Sequence, residues 1–407
     1  MKRQSVYKVI MLVVLVAVIT FMLTTIVMYN KFYDVYEGTY SGTSSITSSG
    51  SNEVSLVKTL ENFKAMLKQK YIGEIDEDKL IEGAIKGYIA GLDDPYTEYL
   101  PKEEMQEFTE ETNAEYVGIG VYVANNTENN TILVAGVMKG SPALEAGMQA
   151  GDIIAKVDGV SYTGEQLSDA TKVLKGQEGT AVKVTIIREE KEIELTVTRK
   201  KIIVEHVASQ MLDDKIAYIQ IDSFDNGVVE SFKEQITTLK NDGAKGIIID
   251  LRSNGGGIVD QATGVADLFL EKNETILITK SKNEEEEITK AKTAPIITDT
   301  PVVILVNEGT ASASEILAAA LKEKYGATIV GKTTYGKGVI QTLYSLTDGS
   351  GLKITTDEYY TPNHNKINKV GITPDVEVQL TKDENGYYET SADKDAQLLK
   401  AIEILKK

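Results

Sequence analysis

The chain has 407 residues, 42% apolar and 26% charged, with a formal charge of −18. That length exceeds one average domain, and the composition suits buried cores. The absence of cysteine, with only His206 and His364 as histidines, excludes thiol nucleophiles, disulfides and Cys-ligated zinc, and the acidic balance argues against a nucleic-acid partner.

Val9 to Tyr29 is an uncharged apolar run, long enough at about 1.5 Å per residue to cross a hydrocarbon core of roughly 30 Å. It runs on into Tyr29-Asn30-Lys31-Phe32-Tyr33 with no small-residue cleavage pattern, so an uncleaved signal anchor is expected rather than a signal peptide. Lys2, Arg3 and Lys8 precede the run and place the N-terminus in the cytoplasm, with the body outside. Residues 1–38 are therefore assigned to a cytoplasmic tip and transmembrane helix of a single-pass cell-membrane protein. Residues 39–52 are rich in Ser, Thr and Gly and form a flexible tether.

Residues 53–113 form a helical region. Val54, Val57, Leu60, Phe63 and Leu67 recur at three- and four-residue steps, and Leu80, Ile81, Ala84, Ile85, Tyr88 and Ile89 repeat the pattern before Gly91-Leu92-Asp93-Asp94-Pro95 stops it. This region is read as a cap on the next domain, and its apolar face could also serve a homodimer.

Residues 114–200 read as a small β-rich module. Tyr116 to Val123 forms a strand around two glycines, and Thr131 to Val134 forms another. Ser141 to Ile154 gives a short helix, a turn and a strand leading to Val157-Asp158-Gly159. Ala181–Ile187 and Ile193–Thr198 alternate as paired strands. The string SPALEAGMQAGDII…VDG resembles that of PDZ domains. The resemblance implies capture of an extended peptide by its C-terminal carboxylate, with the N–H groups of Ile119, Gly120 and Val121 as donors. A tight turn without a ligand is the plainer alternative.

Residues 201–407 alternate strands and helices, the mark of an α/β layer fold. Ile216–Ile221, Gly246–Leu251 and Val302–Val306 are apolar runs of buried-strand length, separated by amphipathic helices at Val228–Lys240 and Ile258–Leu270. Asn283 to Glu287 reads as a solvated hairpin tip. His206 and His364 are read as structural.

Two stretches carry chemistry. Asn307-Glu308-Gly309-Thr310-Ala311-Ser312-Ala313-Ser314-Glu315-Ile316 joins a buried strand to a helix predicted over Glu315–Lys324, so Ser312 stands where backbone N–H groups can face a developing oxyanion. After a strand at Ala327–Val330 comes Gly331-Lys332-Thr333-Thr334-Tyr335-Gly336-Lys337-Gly338-Val339-Ile340-Gln341. In an extended segment Lys337 and Gln341 share a face. A lysine neutralised by burial can act as general base for serine, and Gln341 would orient it without raising its pKa. The plainer alternatives are Ser312 as the cap of an S-x-x-E capping box and Lys337 as an ordinary loop lysine. Ser314 is the neighbouring rival nucleophile.

GTASASEI, YGKG with Lys337, and Gln341 four residues on resemble the catalytic signature of the carboxy-terminal processing (tail-specific) peptidases. The resemblance extends to Leu92–Leu100, Tyr359–Pro362 and Gly371–Asp375. It implies an α/β crotonase/ClpP-like catalytic domain with an inserted β-rich PDZ domain. It also implies a serine endopeptidase with Ser312, Lys337 and Gln341 as catalytic residues, acting through an acyl-enzyme on extracytoplasmic proteins recognised by their C-termini. Asp250-Leu251-Arg252-Ser253-Asn254-Gly255-Gly256-Gly257 resembles the family's DLRxNPGG loop, with Gly255 in place of proline. By that resemblance the N–H groups of Gly256 and Ala313 form the oxyanion hole, with the choice between Gly255 and Gly256 open. No HExxH, calcium-loop or dinucleotide pattern occurs, so no metal and no cofactor is expected. The reading from another class is a catalytically silent, membrane-tethered PDZ scaffold that binds protein tails.

Overall fold

The computed structural model describes residues 51–283, 285–381, 391 and 393–407. The expected transmembrane run, and the tether apart from Ser51 and Asn52, lie outside these residues. Among the described residues no helix is long and apolar enough to cross a membrane. The described residues fall into two compact units, 51–77 and Asp78–Lys407.

The first unit is dominated by helix α1 (Ser51–Lys70). Its three- and four-residue apolar rhythm is present, but Val57, Leu60, Phe63 and Leu67 stay exposed. Helix α2 (Glu77–Ala90) follows, and Leu80, Ile81, Ile85 and Tyr88 on it are exposed as well. Beyond the stop at Gly91–Pro95, the region read as helical over 53–113 also contains strand β1 (Glu98–Leu100), followed by α3 (Lys102–Thr112). Three residues are too few for a periodic signal, and β1 pairs with a strand some 250 residues away, Glu98 opposite Lys353.

The β-rich module contains β2 (Glu115–Gly118), β3 (Val121–Asn126), β4 (Thr131–Val137), α4 (Pro142–Glu145), β5 (Ile153–Val157), β6 (Val160–Ser161), α5 (Leu167–Leu174), β7 (Ala181–Arg188), β8 (Lys191–Thr198) and β9 (Lys200–Ile203). Its main sheet runs β3-β4-β5-β7-β8 with β6 on β5, while β2 pairs with β9. Val182, Val184 and Ile186 alternate inward, the two-residue period of a half-buried strand, and join Ile132, Val134, Ile154 and Met148 in a separate core.

The α/β part consists of β10 (Val207–Leu212), β11 (Ile216–Ile221), α6 (Val228–Asn241), β12 (Gly246–Asp250), α7 (Val259–Asp267), β13 (Thr275–Ser281), β14 (Glu286–Lys290), β15 (Val302–Val306), α8 (Ala313–Ala320), β16 (Thr328–Gly331), β17 (Val339–Ser345), β18 (Gly351–Tyr360), β19 (Val376–Glu377) and α9 (Ala396–Leu405). One sheet is ordered β10-β11-β12-β15-β16-β19, parallel from β11 onward. Strands β12 and β15 are buried along their whole length because both faces are covered. Ile247, Ile249, Val302 and Ile304 face α6, α7 and α8 in the larger core, while Ile248, Val303 and Leu305 face Leu398 and Ala401 of α9.

A second, antiparallel sheet runs β1-β18-β13-β14 with β17 on β18. The helix predicted over Glu315–Lys324 is α8 followed by a π-helical turn at Leu321–Tyr325. The loops after parallel strands β12 and β15 emerge side by side, the place where open α/β sheets build their sites.

Candidate active site

Ser312 follows β15 at the start of α8 with φ 56° and ψ −119°, and it is 9% exposed. A β-carbon at positive φ costs of order 1–3 kcal/mol, so the surrounding contacts have to hold this turn. They do so from two sides.

The first is the loop after β12. Asn254 is fully buried; its amide nitrogen donates to Ile221 O at 2.8 Å, and its backbone oxygen accepts from Ala311 N at 3.0 Å and Ser314 Oγ at 3.0 Å. Ser314, the rival nucleophile, thus spends its hydroxyl on the backbone. Gly256 sits at φ 105°, where a β-carbon would stand 2.8 Å from Ser312 Cβ and 2.9 Å from Ala313 N. Only glycine allows that approach. The two residues expected for the oxyanion hole are thereby brought together beside Ser312. The Gly256 N–H donates to Asn254 Oδ1 at 2.9 Å, so binding an oxyanion would require it to leave that partner.

The second is the loop carrying Lys337. Glu315, fully buried, accepts from Ser312 N at 2.9 Å and Lys337 N at 2.9 Å on Oε2, and from Gly336 N at 2.8 Å and the Thr334 hydroxyl on Oε1. Gly338 is pressed against the returning chain, where a β-carbon would lie 2.2 Å from Asn368 N. The backbone is therefore tightly crowded beside Lys337.

Lys337 is half-buried, and its amine lies 4.7 Å from the centre of the Tyr96 ring. Burial pushes the ammonium below the usual lysine range, helped by the like charge of Lys353 and opposed by Asp94 and Glu98. Among the described residues the amine makes no hydrogen bond to Ser312 or Gln341. Gln341 donates instead to Thr355 Oγ1 at 3.1 Å. Strand β17 begins only at Val339, so Lys337 lies ahead of the alternating segment that carries Gln341, and the register irregularity beside Gln341 places its extra residue, Thr356, on β18.

Four further residues reach the site without having been assigned a role from sequence. The buried Tyr359 hydroxyl donates to Lys337 O and lies in hydrogen-bonding reach of Ser312. Burial, reinforced by the charge of Glu315, pushes its pKa well up. Tyr96, Asp94 and Thr97 arrive through β1. Thr97 Oγ1 donates to Asp94 at 2.6 Å and accepts from Thr355 N at 3.0 Å. Burial works against charge on Asp94, yet hydrogen bonds from Thr97 and Thr355 hold its carboxyl below the usual range. The signal for Asp94, Tyr96 and Thr97 is the Leu92–Leu100 string and that for Tyr359 the Tyr359–Pro362 string, whose matches are visible in the sequence but not their destination.

Comparison with known proteins settles the class. Residues 215–378 match the profile of peptidase family S41, residues 133–188 a PDZ domain, and residues 14–104 the N-terminal domain of the activating protease CtpB. The carboxy-terminal processing protease CtpA of Bacillus subtilis is 40% identical over 333 residues, covering 82% of this chain and 71% of the relative. The chain belongs to the carboxy-terminal processing serine proteases. A CtpA-like serine protease from Staphylococcus aureus is 38% identical over 337 residues, covering 82% and 67%. A solved protein from Bacteroides fragilis assigned to the S41 proteases shares the fold at 17% identity and a TM-score of 0.54, covering 83% of this chain and 92% of that one.

In this S41 peptidase the PDZ module carries Ile119 and Gly120 between β2 and β3. Ile119 is buried at 2% exposure, and Gly120 has φ 77°. A cleft of about 700 Å³ opens between α3, α5 and β2, bounded by Glu107, Glu110, Val117, Leu167, Thr171 and Gly176. It begins two residues from Ile119.

Proposed function

We propose that this peptidase works through Ser312 as nucleophile and Lys337 as general base, with Gln341 in support. The observation that carries the reading is the half-buried Lys337 amine, whose pKa is lowered by burial and whose backbone shares a carboxylate oxygen with the backbone of Ser312. A neutral amine accepts the Ser312 proton as Oγ attacks the peptide carbonyl. The N–H groups of Ala313 and Gly256 stabilise the oxyanion, and an acyl-enzyme forms and is hydrolysed. Because the amine makes no hydrogen bond to Ser312 among the described residues, it approaches Oγ by a side-chain rotation on its long flexible stem.

The PDZ module would bind substrate C-termini through the N–H groups of Ile119, Gly120 and Val121, with the adjoining cleft taking the upstream residues. We further propose the division 53–113, 114–200 and 201–407, with 1–38 as a single-pass anchor that leaves the body extracytoplasmic. The exposed apolar faces of α1 and α2 support pairing with a second copy through the N-terminal helical region. Incubating the full chain in detergent with an unstructured protein, beside Ser312→Ala, tests the nucleophile. Cleavage by wild type alone is expected, and equal cleavage by both would end the proposal.

A further inference from the structure

We infer that Glu315 is a positioning residue for this reaction, whose carboxylate holds the nucleophile and the base in register through their own backbones. The inference rests on the Ser312–Lys337 reading above and extends it. Glu315 lies on the first turn of α8, fully buried. Among the described residues no cation pairs with it. Buried carboxylates are costly unless compensated, and here the compensation is four hydrogen-bond donors on two oxygens. Only an acceptor with no N–H of its own can take all four.

The arrangement of donors matters more than their number. Oε2 is shared by the amides of Ser312 and Lys337, both at 2.9 Å. Oε1 takes Gly336 N at 2.8 Å and the Thr334 hydroxyl, which in turn accepts from Ile372 N at 2.7 Å. One oxygen atom therefore ties together two residues 25 positions apart in the chain, and the other fixes the loop leading into the second. A helix cap needs only the bond to Ser312 N. The three bonds to Thr334, Gly336 and Lys337 lie outside that role and fix the base-bearing loop against the nucleophile turn.

Glutamine separates the two roles, because it completes a capping box as glutamate does but presents an NH₂ to two of the four donors. In the full chain, Glu315→Gln should lower kcat about 10²-fold, the scale of a displaced catalytic group. KM and binding of a C-terminal peptide to the PDZ module should be unchanged. The ascending limb of the pH–rate profile should move to higher pH, because a loosened loop exposes the Lys337 amine to water. A kcat within about twofold of wild type overturns the inference. So does a loss that vanishes on cooling with the pH limb unmoved, which would reduce Glu315 to a helix cap. Should Glu315→Gln not fold, Thr334→Val and Thr334→Ser decide. Valine should lower kcat roughly tenfold, as loss of one buried hydrogen bond implies, with serine restoring it, and equal activity of the two counts against the inference. Cleavage by Ser312→Ala would instead defeat the underlying reading, whatever Glu315 does.

Discussion

Replacing Gly256 by alanine tests whether the loop after β12 borders the reacting carbonyl. The new Cβ would meet Ala311 O and Ser312 Cβ at 2.8 Å and Ala313 N at 2.9 Å. All three neighbours are backbone or the nucleophile itself, so none can swing aside, and relief takes a shift of roughly half an ångström in the Ser312 turn. Two costs follow. Alanine at φ 105° carries about 1–3 kcal/mol of strain, which for a domain of this size lowers Tm by roughly 2–12 °C. Displacing Ser312 and the Ala313 amide from the carbonyl should also lower kcat by about 10²–10³, the range for loss of one oxyanion donor. The assay is steady-state cleavage of an unstructured substrate well below the variant's Tm, beside peptide-tail binding, which should be unaffected. A folded Gly256→Ala protein with near-normal kcat would refute the placement of this loop at the oxyanion.

Tyr96→Leu keeps bulk over Lys337 but removes the aromatic face that favours its charged form; the ascending pH limb should fall by about half a unit to one unit, and an upward or absent shift contradicts the contact's role. Gly120→Val would place a side chain where a Cβ already meets Ser141 Cβ at 2.4 Å. It should abolish the preference for free-acid over C-terminally amidated substrates, and retention of that preference in the variant would remove the loop from tail recognition. A chain beginning at residue 39 should stay in solution without detergent, and carbonate-resistant membrane association of that form would count against the single anchor.

Much of this architecture is legible because its signals are local. The runs at Ile247–Ile249 and Val302–Val306 read as central strands because both faces are buried, and the glycines around Lys337 announce close backbone contact. Ser312 and Lys337 stand out by residue type and spacing in a way that needs no knowledge of their surroundings. What escapes is long-range or irregular. Tyr96 and Thr97 reach the site only because three residues of β1 pair with β18. The face-sharing expected of Lys337 and Gln341 assumes a strand that already runs through Lys337, whereas β17 begins at Val339. The buried Glu315 was visible only as the fourth residue of a capping box. Its bonds to Gly336 and Lys337 depend on β15 and β16 lying side by side. Likewise the bond between Gly256 N–H and Asn254 depends on the loop's own curl, which a string of glycines does not specify.

The account stands on Lys337 acting as a neutral base for Ser312, and single-turnover cleavage by Lys337→Arg across the neutral to alkaline range tests it most directly. Arginine keeps the positive charge and most of the reach but does not release its proton. Wild-type cleavage should rise with pH through a pKa below the usual lysine value, as burial of the amine dictates. Lys337→Arg should be as inactive as Lys337→Ala at every pH while still binding peptide tails. Substantial cleavage by Lys337→Arg, or a wild-type rate independent of pH over that range, would contradict the assignment.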